Sequence, residues 1–126
     1  MIQEAYVSFE TAKLLKEKGF DEECTHYYSY ESNELIEYTN GVYSRNSKNC
    51  NRCVSPTHQM AMAWLREKGI YITIIYGDYP ANKRVFWTPQ IDSLEGFDLP
   101  DSFYQEYNSY EDAVEAALKY VLENLI

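Results

Sequence analysis

The sequence predicts one α+β domain spanning residues 1–126, with three helices packed on a four- or five-stranded, mainly antiparallel sheet in the order α-β-β-α-β-β-β-α. Three observations carry this expectation. Three segments with capping residues repeat their apolar positions at helical spacing. The stretches between them alternate or run apolar over strand lengths and are broken by turn residues. Finally, a chain of 126 residues that is 45% hydrophobic and 25% charged can bury roughly two-thirds of its unfolded surface without disulfides or a metal to hold it.

In the first segment, Ser8 supplies a capping oxygen to a helix whose apolar positions are Phe9, Ala12 and Leu15, with Leu14 beside them and Phe20 beyond. Gly19 is its stop, and Lys13, Lys16 and Lys18 crowd the later turns, where the helix dipole favours cations. Next, Cys24, His26, Tyr28 and Tyr30 alternate with Thr25, Tyr27 and Ser29, the polar run Glu31 to Glu34 follows, and Leu35 to Tyr38 is apolar apart from Glu37. This reads as a β-hairpin. Asn40-Gly41 signals a turn, and Gly41 to Asn51 reads as an exposed loop.

Ser55-Pro56 starts the second helix, because serine can cap and proline at the first helical position loses only an unpartnered amide. It runs to Lys68 with Met60, Ala61, Trp64 and Leu65 as its packed face, and Gly69 ends it. Ile70 to Tyr76, apolar on both faces, is the best strand in the chain and is expected at the sheet centre against this helix. Gly77 to Arg84 turns the chain into Val85 to Thr88, closed by Pro89. Ile91 to Ser102 reads as a connection, and Phe103 to Tyr107 as a last edge strand. Ser109 with Asp112 opens the final helix, Tyr110 to Asn124, which buries Val114, Ala117, Leu118 and Val121.

The chain carries 20 acidic and 11 basic residues, a net charge of −9. That balance disfavours nonspecific nucleic-acid binding and anionic membranes, and suits solubility or a basic protein partner. Met1 to Phe20 contains no apolar run of signal-peptide length, and the longest apolar stretch, Ile70 to Tyr76, is too short to span a bilayer. The expected compartment is the cytoplasm, where the three cysteines are reduced thiols or metal ligands.

The constellation with ligand-type spacing is Cys50-Asn51-Arg52-Cys53. Completed by Cys24 and His26, with His58 as the alternative fourth ligand, it would make a tetrahedral zinc site. The competing reading has Cys24 as a small buried hydrophobe and the loop thiols free. Cys50 or Cys53 with His26 or His58 would suit a thiol-dependent enzyme, and Arg52 would favour a thiolate. No phosphate-cradling glycine run or paired acid and base stands out. The five Gly are isolated, so no cofactor other than zinc is called for. Among the 13 Tyr, Tyr27, Tyr30 and Tyr43 near the first hairpin, and Tyr79 with Phe86 and Trp87 on the second, form a binding platform if one sheet face is uncovered.

Ser55-Pro56-Thr57-His58-Gln59-Met60-Ala61-Met62-Ala63-Trp64-Leu65-Arg66-Glu67 resembles a group of small uncharacterised proteins encoded by gut-bacterial genomes, prophages and related mobile elements. Phe9 to Phe20 and Ser109 to Ala113 are similar to the opening and closing segments of the same group. The resemblance spans most of the chain and implies common ancestry; it brings no activity and no site residues with it. Together these readings favour a non-enzymatic accessory protein that binds another protein. The alternatives are a small structural zinc domain and a thiol-dependent enzyme or redox protein.

Overall fold

The computed structural model describes residues 2–39, 43–48, 50–96 and 98–126. Among them are three α-helices and five strands: α1 (Phe9–Glu17), β1 (His26–Ser29), β2 (Leu35–Glu37), β3 (Arg52–Val54), α2 (His58–Glu67), β4 (Ile70–Tyr79), β5 (Arg84–Ser93) and α3 (Tyr110–Asn124). The fold is α+β and every strand pair is antiparallel. The strands divide into a three-stranded sheet, β2-β1-β3, and a two-stranded ribbon, β4-β5.

The helix punctuation follows local chemistry. Ser8 Oγ accepts from the Thr11 amide and Ser109 Oγ from the Asp112 amide, so two of the three caps are the serines expected. Gly19 and Gly69 take positive φ angles of 89° and 82°, the left-handed turn that ends a helix without a side-chain penalty. The α2 cap differs: it is Thr57, whose side chain accepts from the Met60 amide. The reason is tertiary. Val7 N–H donates to Pro56 O, His58 N–H to Ala5 O and Ser55 N–H to His26 O. These bonds hold Ser55 and Pro56 outside the helix, and Ser55 Oγ donates instead to Val7 O. The shifted start buries Met62 and leaves Met60 exposed, against the expected face.

The strand expected after β5 is not there among the described residues; a strand the sequence did not suggest, β3, stands instead before α2. Phe103 to Tyr107 forms the end of a 3-10 turn, Asp101–Phe103, followed by one bridge from Tyr107 to Trp87. Phe103 is buried with its ring 4.9 Å from Tyr120, and that burial pulls the chain out of line before it could pair further. The expected loop is also more constrained than its composition suggests. The Asn40-Gly41 turn, with residues 42 and 49, lies outside the described residues; nearby, Ser44 exchanges both backbone bonds with Cys24, and Asn46 bonds Phe20 O and the Val54 amide.

The centre of the core is α3, not β4. Ala113, Val114, Ala117, Leu118, Val121 and Leu122 are all fully buried, and the helix packs on α1, α2, β4 and β5. It is the longest helix and offers the widest apolar stripe, so burying it removes the most apolar surface from water. β4, by contrast, has a partner on one side only among the described residues. None of the helices among these residues is long and apolar enough to cross a membrane.

Candidate functional site

The ribbon owes its exposed character to where it stands. Ile72 and Ile74 pack against the core, whereas Tyr71, Thr73 and Ile75 point the other way, into solvent. Farther along, both faces are open: Tyr76 is 54% exposed and Ile75 47%. The rings form two clusters there. Trp87 meets Tyr76 on one side and Tyr110 of α3 on the other, at 5.6 and 5.5 Å. Phe86 lies 5.0 Å from Tyr79, with the Arg84 guanidinium over both. Gly77 permits this arrangement, since a Cβ there would stand 2.4 Å from Phe86 Cζ. The Tyr79 hydroxyl donates to Glu106 at 2.6 Å, which raises its pKa because the bond favours the protonated phenol.

The backbone of β4 has an open edge. Trp87 exchanges both of its main-chain hydrogen bonds with Tyr107, at 2.9 and 2.8 Å, so these groups point away from β4. Tyr76, directly opposite Trp87, therefore sits at a non-hydrogen-bonded pair and turns its own N–H and C=O outward. Ile72, Ile74 and Asp78 follow by alternation. Pro89, with no N–H to give, stands opposite Ile74 at a position that needs none. Among the described residues, these outward groups have no hydrogen-bond partner.

The remaining expected aromatic residues are placed elsewhere. Tyr27 stacks on Tyr38 at 4.5 Å beneath Arg52. Tyr30 leans on Phe9 near Lys16, and Tyr43 is exposed. Tyr79, Phe86 and Trp87 thus share the ribbon, and the first-hairpin rings do not join them. Sequence reasoning misses Tyr71, Ile75 and Tyr76, because a strand apolar on both faces reads as central.

The cysteines and histidines do not converge. Among the described residues, no three His, Cys, Asp or Glu side chains are placed to hold one metal ion. Cys24 is buried beside Met60, and Cys53 is buried on β3 opposite Tyr28. The His26 ring lies 4.1 Å from Tyr6, and His58 is bound to Glu115. Burial pushes the Cys24 thiol up to about 12, helped by Glu22. It pushes Cys53 up to about 11, against the pull of Lys16 and Lys13. Neither is a thiolate at neutral pH, which runs against nucleophilic use. Cys50, half-buried, borders an open cleft of about 1000 Å³ beside α1. Lys13, Lys16 and Lys48 line it together with Glu17 and Asp21, and Lys16 Nζ is taken up by the Cys50 and Arg52 carbonyls. Alkylation of the native protein at about pH 8 is expected to modify Cys50 and spare Cys24 and Cys53 until the chain unfolds. Mass spectrometry of the labelled peptides checks this.

Ser8, His58 and Glu115 are residue types used in hydrolases, but their geometry differs. Glu115 is the hub: Oε1 accepts from the Ser8 amide and His58 Nε2 at 2.8 and 2.9 Å, and Oε2 from Ser8 Oγ and Thr11 Oγ1 at 2.9 and 2.6 Å. A triad would place the imidazole between serine and acid. Here the carboxylate ties the start of α1 and the start of α2 to α3, a structural role. Comparison of the chain with protein-family models, curated proteins and solved structures finds no match.

Proposed function

We propose that the protein is a non-enzymatic interaction module that receives a β-strand of a protein partner along the open edge of β4. The carrying observation is that edge: a ten-residue strand with outward-turned main-chain groups, flanked by exposed Tyr71, Ile75, Tyr76 and Tyr79. Strand addition draws affinity from main-chain hydrogen bonds and specificity from the alternating side chains beside them. The raised thiols of Cys24 and Cys53 weigh against a thiol-dependent enzyme.

The test is capture on the immobilised chain, using cells that also express a second, differently tagged copy. Thr73→Lys/Ile75→Lys places two cations beside the edge at solvent-facing positions. At least one protein held by the wild type is expected to fall about tenfold or more on this variant, a change of about 1.4 kcal/mol. Identical capture by both overturns the reading.

A further inference from the structure

Resting on that reading, we infer that the strand taken up by β4 is β4 of a second copy, the two pairing antiparallel about a twofold axis near Ile74. Natural proteins guard exposed edges with charges, prolines, bulges or short strands. β4 has few of these guards: its register with β5 is unbroken over ten pairs, it contains no proline, and its one charged residue is Asp78. Residues 70–77 are wholly uncharged in a chain of net charge −9, so two like-charged copies can approach along this strip at little electrostatic cost.

The strip is also self-complementary. A twofold axis at Ile74 sets Ile74 opposite Ile74 of the second copy and Ile72 opposite Tyr76, an aliphatic-on-aromatic pair of the kind favoured across strands. Every outward N–H at Ile72, Ile74 and Tyr76 meets an outward C=O of the other copy. Asp78 falls opposite the uncharged Ile70 of the second copy, so no like charges are set against each other in the strand pair. The two Asp78 residues end up about 26 Å apart along the strands, well past the screening length. An isologous contact of this type closes on itself and leaves no further edge of β4 to propagate.

A single strand edge offers less area than the roughly 800 Å² per partner of a stable complex, so the dimer is expected to dissociate on the order of 10 µM. Sedimentation equilibrium from low to high micromolar concentration should show the mass rising from 14.8 kDa toward twice that value. Thr73→Lys/Ile75→Lys brings the introduced ammonium groups of opposing copies face to face, because a twofold axis at Ile74 sets position 73 of one copy against position 75 of the other. This variant should remain monomeric with an unchanged circular dichroism spectrum and melting transition. Should it not fold, hydrogen exchange on the wild type replaces it: the amides of Ile72, Ile74 and Tyr76 should slow about tenfold or more between dilute and concentrated samples. A wild type that is monomeric throughout, a folded double variant that still dimerises, or concentration-dependent protection located elsewhere overturns the inference. If the wild type is monomeric yet loses a captured protein on the double variant, the self-pairing falls and the interaction module stands; if capture is unchanged too, both fall.

Discussion

Glu115→Ala is expected to lower the unfolding free energy by about 3 kcal/mol and the melting temperature by about 10 °C. The substitution leaves four donors without their acceptor: the Ser8 amide, the hydroxyls of Ser8 and Thr11, and His58 Nε2. His58 is 5% exposed and Thr11 fully buried, so water is poorly placed to replace the carboxylate. His58 Nδ1 already has no partner among the described residues, which makes the Nε2 bond the ring's one compensation for burial. Glu10→Ala is the control. It removes an exposed ion pair with Lys119 at 2.7 Å and should leave the melting transition nearly in place.

The same hub sets a pH dependence. Burial alone would raise the Glu115 carboxyl, but the hydrogen bonds from His58, Thr11 and Ser8 override it and hold the group below its ordinary value of 4.5. A carboxyl lowered by folding stabilises the native state above its unfolded pKa, and the stabilisation is lost as pH falls through the folded value. Thermal melts should therefore show the wild type's advantage over Glu115→Gln shrinking as pH falls below about 4.5. An advantage that stays flat into acid would mean that the charge of Glu115 contributes nothing.

Phe20→Ala is expected to cost about 3–5 kcal/mol, measured by chemical denaturation, whereas Phe20→Leu should cost less than about 1.5 kcal/mol. Phe20 is 1% exposed and meets Trp64 edge-on at 5.5 Å. Its carbonyl also receives the Asn46 side chain, so the ring fills the space at which α1, α2 and the segment before β3 converge. Truncation leaves a cavity bounded by a helix stop and a tethered loop, and neither can close in freely. A loss under about 1 kcal/mol would show that this junction collapses readily.

Much of the fold was legible because its signals are local. Ser8, Ser109, Gly19 and Gly69 act through their own turn, and the α3 stripe follows from spacing along one helix. Ser55 fails as a cap for the complementary reason: its place is set by hydrogen bonds to Val7 and His26, residues distant in sequence. The Cys50 to Cys53 spacing suggested a metal grip, yet spacing says nothing of where Cys24 and the histidines arrive. Aromatic residues stand out on both hairpins, and only those of the second fall on the open ribbon. Glu115 left one faint signal, a carboxylate bordering an apolar stripe.

Taken alone, the sequence determined the α+β class, the three helices with most of their ends, and the apolar faces, because capping, turn chemistry and hydrophobic periodicity act within a few residues. Which strand ends at an edge, which polar side chains share Glu115, and which thiols are buried were decided by tertiary structure alone. The physical reason is that α3 offers the most apolar surface and takes the centre, which leaves β4, apolar on both faces, paired among the described residues with β5 alone and open along its other side.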